Sequence, residues 1–182
     1  MNKWAKEKIS VTDLILKVIS AAYQDVPEAN CIWNDEEMVY FGDVSVALAV
    51  ATDNGLITPV IRNVNTQKID ELHLNTKILV DKARSGSLKQ NEIEGGVISL
   101  TNLGMYGVES FTAIINPPQS MILAIGAAIK TPIVIDDKIV STDIIKVTIS
   151  VDHRAVDGAL AAQWLQAFKE RFENPYWLVL GN

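Results

Sequence analysis

From Ile145 to Val151 the chain alternates strictly: Ile145, Val147, Ile149 and Val151 fall on one side of an extended backbone, and Lys146, Thr148 and Ser150 on the other. That is a strand with one face to bury. After a short polar link the period changes, and Leu160, Trp164, Phe168 and Phe172 recur every fourth residue, with Gln163, Gln166, Lys169 and Glu170 on the opposite side. Neither apolar face is stable in water, so this helix is expected to lie on the sheet that holds the strand. Helix packed on sheet is therefore the first constraint on the fold.

Upstream, Ser10 and Asp13 stand at the capping-box interval, with Asp in place of Glu, and Leu14, Val18 and Ala22 follow at helical spacing. A helix is predicted from Thr12 to Gln24. Asp43 to Ala51 reads as a strand, Asp53-Asn54-Gly55 as a turn, and Leu56 to Arg62 as a second extended run. Pro59 favours an edge position or a bulge in that run, because it has no N–H to give to a ladder. Leu72, Ile78, Leu79 and Ala83 predict a helix over Asp70 to Ser85, stopped by Gly86. Gly95-Gly96 precedes a strand at Val97 to Leu103, and Gly104 and Gly107 mark the loop after it. Met121 to Ala128 reads as a buried strand, and Ile133 to Val140 as a short hairpin folded at Asp136-Asp137. Helices and strands mix without regular alternation, which favours a mixed sheet covered by helices over a doubly wound parallel one.

At 182 residues and 48% hydrophobic, the chain is expected to form one domain, residues 1–182, with a substantial core. A net charge of −6 with no basic cluster argues against a nucleic-acid partner. The longest apolar stretches, such as Met121 to Ile129, are too short for a membrane helix, and the N-terminus lacks a signal-peptide layout. A soluble intracellular protein is expected. The single cysteine, Cys31, excludes an internal disulfide and a cysteine-based zinc site; it is read as a small packed side chain, with a nucleophile as the alternative. Two histidines, His73 and His153, are too few for a histidine-rich metal site. No G-x-G-x-x-G or Walker-type loop is present, so dinucleotide and triphosphate binding have no support.

The alternating strand runs directly into Asp152-His153-Arg154-Ala155-Val156-Asp157-Gly158. An imidazole titrates near neutrality, so at a strand end it can take a proton from an alcohol or a thiol. If the extended run continues two residues, His153 falls on the apolar side, where desolvation keeps it neutral as a base requires. A satisfied core histidine is the plainer alternative.

Four collinear segments resemble the catalytic domain of the dihydrolipoamide acyltransferases, the E2 components of 2-oxoacid dehydrogenase complexes. They are Val46 to Val60, Leu100-Thr101-Asn102-Leu103-Gly104-Met105-Tyr106-Gly107, Ala113-Ile114-Ile115-Asn116-Pro117-Pro118-Gln119, and the Asp152 to Gly158 run, which is similar to the family's active-site signature. The Asn102 to Met105 and Ile115 to Pro118 wording is most similar to the pyruvate type, the dihydrolipoamide acetyltransferases. The resemblance implies a two-layer α/β sandwich with a mixed sheet, like chloramphenicol acetyltransferase, assembled as a homotrimer that builds a cubic or dodecahedral core. It implies acyl transfer between dihydrolipoamide, supplied on a separate lipoyl domain, and coenzyme A as substrate, with no cofactor bound in this domain. E1 and E3 would be reached through regions not in this chain. The compartment implied is the bacterial cytoplasm or the mitochondrial matrix.

Carried onto matching positions, His153 is the general base and Asp157 holds the local structure around it. Thr101 matches the hydroxyl that donates to the oxyanion, and Asn102 and Gly126 match positions that approach coenzyme A. Thioester exchange needs only a base, a positioned thiol and a donor aimed at the developing charge; one such donor is worth about 3 to 4 kcal/mol. Plainer readings stand beside these: Thr101 as a strand threonine, Asp157 as a helix N-cap, Gly126 as a site of close strand packing. Family domains are longer at the N-terminus by a helix and a strand, so against them this chain, opening at Met1-Asn2-Lys3-Trp4, reads as N-terminally shortened. That leaves the partner of Asp157 open. The alternative function is a non-catalytic core subunit resembling the E3-binding proteins, which typically lack the histidine that this chain keeps at 153. A small-molecule acetyltransferase is a weaker third.

Overall fold

Burying the two apolar faces read from the sequence gives a sheet with helices on one side. The computed structural model describes residues 8–180, the side chains of 179 and 180 excepted; Met1 to Trp4, where the N-terminal comparison starts, lie outside the described residues. In chain order, α1 (Val11–Asp25) leads to the hairpin β1 (Cys31–Asn34) and β2 (Glu37–Tyr40). Then come β3 (Val46–Leu48), β4 (Val50–Thr52), β5 (Gly55–Ile57), β6 (Val60–Ile61), α2 (Ile69–Ser85), β7 (Ile98–Asn102), β8 (Met121–Ile135), β9 (Lys138–Val151), α3 (Gly158–Glu173) and a last short helix, α4 (Trp177–Leu180). The main sheet has the order β6-β3-β7-β8-β9. β3, β7 and β8 run parallel, and β6 and β9 close the two edges antiparallel. The mixed sheet expected from the sequence is present.

Alternation sorts the strands' side chains. Ile98 and Leu100 of β7 and Met121, Leu123 and Ile125 of β8 join Ile145, Val147, Ile149 and Val151 of β9 in one core with α1 and α3. Trp164 of α3 is fully buried there, with its ring 5.2 Å from Tyr23 and 5.7 Å from Phe168. α1 starts where its cap chemistry places it: the Ser10 hydroxyl accepts from the Asp13 N–H, and the Asp13 carboxylate accepts from the Ser10 N–H. α2 ends at Gly86, whose φ of 68° is the left-handed conformation that glycine adopts without strain.

The other sheet face carries Ser99, Thr101, Ile122, Ala124, Thr148 and Ser150, and an extended strap over 108–116 crosses it. Phe111, Ala113 and Ile115 are half-buried in the strap while Thr112, Ile114 and Asn116 are exposed. β9's polar residues hold it. The Ser150 hydroxyl donates to the Ala113 carbonyl at 2.8 Å, and Lys146 pairs with Glu109 at 2.5 Å.

Three expectations need correction. The strand read over Asp43 to Ala51 breaks at Ala49, whose N–H bonds to Leu100 O while β4 turns away to pair with β5. The run at Leu56 to Arg62 breaks likewise around Thr58 and Pro59, and its second part, β6, takes the sheet edge. The three pieces read at Met121–Ala128, Ile133–Val140 and Ile145–Val151 are one long hairpin, turning at Asp136 and Asp137 with φ of 48° and 60°. Its outer half is mostly exposed, so no sustained hydrophobic period joined the hairpin tip to the buried strands. The β1–β2 hairpin carried too weak an alternation to be read.

Trp164→Ala is expected to destabilise the fold by about 3 to 5 kcal/mol, because it empties the centre of the core. The buried indole N–H has no acceptor among the described residues, so Trp164→Phe removes an unsatisfied donor and is expected to cost less than about 1.5 kcal/mol. Denaturant midpoints of the two variants against the parent check both.

Candidate active site

The strand ends at Val151, earlier than alternation suggested. The Asp152 N–H makes a bond of 2.7 Å to Ser120 O, and the Asp152 carbonyl then accepts from the N–H groups of Ala155 and Val156, each at 2.9 Å. Those two bonds close a turn over 152–156. His153 sits on it exposed to solvent, not on the buried face. The expected desolvation of His153 is therefore absent in the single chain, because Asp152 bends the backbone before the alternation can continue. Arg154 strengthens the bend, giving Nε and Nη2 to the Asp152 carboxylate at 3.0 and 2.7 Å. This fork holds the Asp152 carboxyl below the usual carboxylate range.

Asp157 caps α3, its Oδ1 accepting from the Leu160 N–H at 2.8 Å. The cap fixes the far end of the His153 turn. Among the described residues Asp157 has no ion-pair partner. Cys31, fully buried, donates its thiol to Ala155 O at 3.6 Å, and burial pushes that thiol's pKa up. It is a packed donor, the plainer of its two readings, and not a nucleophile.

Thr101, Asn102 and Gly126 form a second group. The Asn102 Oδ1 accepts from the Gly104 N–H at 2.9 Å. A Cβ at Gly104 would come within 2.8 Å of Gly126 O and 3.1 Å of Asn102 Oδ1. Gly126 lies in the irregularity of the β8–β9 pairing between Ile125 and Ala128, and a Cβ there would collide with the Glu109 carbonyl. The close-packing reading of Gly126 thus has a direct cause in the strap. Thr101 opens instead onto a cleft of about 520 Å³ under the strap, with Ser99, Thr58, Phe111, Ala113 and Ile122 among its walls. Ser99 is held there by a hydrogen bond to Gln119, whose amide reaches Gly95 O. A second cavity, about 70 Å³, lies between α3 and β9 and is lined chiefly by apolar side chains.

The two groups are set apart both along the strands and across the sheet. Val151, Met121 and Ile98 are in register at one end, and Thr101 is level with Ala124 and Thr148 towards the other. With ~3.3 Å per residue and ~4.8 Å per strand, Thr101 and His153 of one chain are on the order of 15 Å apart. One chain does not bring them together. Sequence reading gave no part to Ser99 and Ser120, and none of its own to Gln119 at the end of the Ala113 to Gln119 segment, since their partners are remote in the chain and no local period betrays them. Among the described residues, no three His, Cys, Asp or Glu side chains are grouped to hold a metal, and no helix is long and apolar enough to cross a membrane.

A mixed sheet backed by helices gives the chain a fold of the chloramphenicol acetyltransferase-like class. A solved chloramphenicol acetyltransferase superposes with a TM-score of 0.58 at 15% identity, over 88% of this chain and 77% of its own, a likeness of fold alone. The chain belongs to the family described as 2-oxoacid dehydrogenases acyltransferase (catalytic domain), whose family model matches residues 1–180. The dihydrolipoyllysine-residue acetyltransferase component of the Rickettsia conorii pyruvate dehydrogenase complex is 43% identical, over 99% of this chain and 45% of that protein. This chain therefore spans under half of that relative's length. The dihydrolipoamide acetyltransferase of Azotobacter vinelandii, crystallised to investigate a serine, a histidine and an asparagine in its catalytic mechanism, superposes with a TM-score of 0.90 at 28% identity. It covers 98% of this chain and 74% of its own. A cubic core of a pyruvate dehydrogenase multienzyme complex fits equally, with a TM-score of 0.90 at 29% identity over the same shares.

Gly126→Ala is expected to destabilise the fold by about 1 to 3 kcal/mol or more, because the strap backbone must move to admit one methyl group. Thermal midpoints of the variant and the parent check it.

Proposed function

We propose that this domain transfers acetyl groups between dihydrolipoamide, presented by a separate lipoyl domain, and the thiol of coenzyme A, within the core of a pyruvate dehydrogenase complex. One observation carries the reading. The serine, histidine and asparagine investigated in the Azotobacter vinelandii enzyme follow one another at intervals of 52 and 4 residues, and Thr101, His153 and Asp157 repeat both intervals. Threonine preserves the hydroxyl of serine. Aspartate, like asparagine, carries a side-chain oxygen, and here it accepts from the Leu160 N–H.

The chemistry follows from these groups. The His153 imidazole takes the proton of the attacking thiol, and the thiolate adds to the thioester carbonyl. The Thr101 hydroxyl donates to the oxyanion that forms. Collapse breaks the old carbon–sulfur bond, and the departing thiolate receives the proton from the imidazolium, so no net charge or redox change remains. Asn102 and Gly126 border the approach of coenzyme A in this reading. The presence of His153 favours an enzyme over a structural subunit of the E3-binding kind.

His153→Ala is expected to lower kcat by about 10² to 10⁴ without loss of fold, measured with acetyl-coenzyme A and dihydrolipoamide. Thr101→Ala is expected to lower kcat more than it raises KM, and Thr101→Ser to retain most activity; equal losses in both would favour a packing role.

The distance between Thr101 and His153 supports a site completed by a neighbouring copy in a homotrimer, the unit from which the larger core is built. Inactive His153→Ala and Thr101→Ala proteins, mixed under conditions of subunit exchange, are expected to recover part of the activity. Light scattering that finds only monomer, or no recovery despite proven exchange, would overturn the shared site.

A further inference from the structure

The exposed His153 imidazole has no hydrogen-bond partner among the described residues, so what the fold fixes is the point from which it projects, through the backbone of the 152–156 turn. That turn is held from below by one residue outside every sequence motif. Ser120, 1% exposed, donates its N–H to Val97 O at 3.1 Å and accepts from the Asp152 N–H at 2.7 Å through its carbonyl. Its hydroxyl donates to Cys31 O at 2.5 Å. Cys31 in turn gives its thiol to Ala155 O. Strand β1 thereby touches the far side of the turn whose first residue Ser120 already grips, and the loop closes on itself through buried bonds.

We infer that Ser120 is a positioning residue for the base, its hydroxyl locking β1 under the His153 turn so that the imidazole meets the thiol at the reacting distance. The inference rests on the reading of His153 as general base. Losing the hydroxyl takes the buried donor from Cys31 O and unties β1 from Ser120, so that the Cys31 thiol bond to Ala155 O holds β1 to the turn without that support, while Thr101 and the cleft keep their own contacts. Displacing a reacting group by about 1 Å costs on the order of 10²-fold in rate. Ser120→Ala is accordingly expected to lower kcat by about 10- to 100-fold while KM for coenzyme A stays within about twofold. Ser120→Thr, which keeps the donor, is expected to recover most of the loss.

A double-mutant cycle in the assembled protein decides the matter. If Ser120 acts through the base, Ser120→Ala lowers kcat in the parent and produces no further loss in His153→Ala, whose residual turnover no longer depends on an imidazole. The same factor lost in both backgrounds overturns the inference and assigns Ser120 to general stability. Unchanged kcat in Ser120→Ala overturns it too. Should Ser120→Ala fail to fold, Cys31→Ala, which removes only the thiol bond to Ala155 O, enters the same cycle with a smaller expected loss of several-fold and the same two overturning outcomes. Wild-type turnover in His153→Ala alone would sink the base assignment instead, so the two failures are distinguishable.

Discussion

Everything in this domain hangs on the burial of one sheet face beneath α1 and α3. Ile98, Leu100, Met121, Leu123 and Ile125 are each buried to within a few per cent, and Trp164 closes over them. Each such side chain contributes roughly 1.5 to 3 kcal/mol against exposure to water. Because side chains alternate in strands, fixing that face inward turns Ser99, Thr101, Thr148 and Ser150 to the other face. The hydroxyl row beneath the strap is a by-product of the core, and the cleft is built on it.

The other side of the sheet is where regular structure stops. β9 ends because Asp152 uses its carbonyl for a turn, and the β8–β9 ladder slips at Gly126 because the strap takes the Ala127 N–H through Val108 O at 2.8 Å. Both departures occur beside residues that the family resemblance singles out. Local irregularity is how a rigid sheet presents a side chain or a bare backbone to something outside it.

How much of this could be read in the chain depends on how local each cause is. The α1 cap and the Gly86 stop were legible because their partners lie within four residues. Asp157 was legible as a cap for the same reason. The tip of the long hairpin was legible from Asp136-Asp137, but its continuity with the buried strands was not, because the mostly exposed outer half imposes no sustained period. His153 was found through its motif, but its exposure was not foreseen, since alternation alone cannot reveal that Asp152 will turn the chain. The Ser120–Cys31 bond spans 89 residues and had no signature at all. Local chemistry writes itself into the sequence; a hydrogen bond between remote polar side chains and backbone does not.

Gly126 carries a consequence for how such proteins are compared. The Glu109 carbonyl occupies the space that a side chain at 126 would need, whatever binds nearby. Selection against unfolding alone would keep glycine there in every relative that retains the strap. A glycine retained at this position would thus say nothing about a ligand, and only positions without such a structural penalty, such as the exposed Thr112 on the cleft rim, are free to follow what the cleft holds.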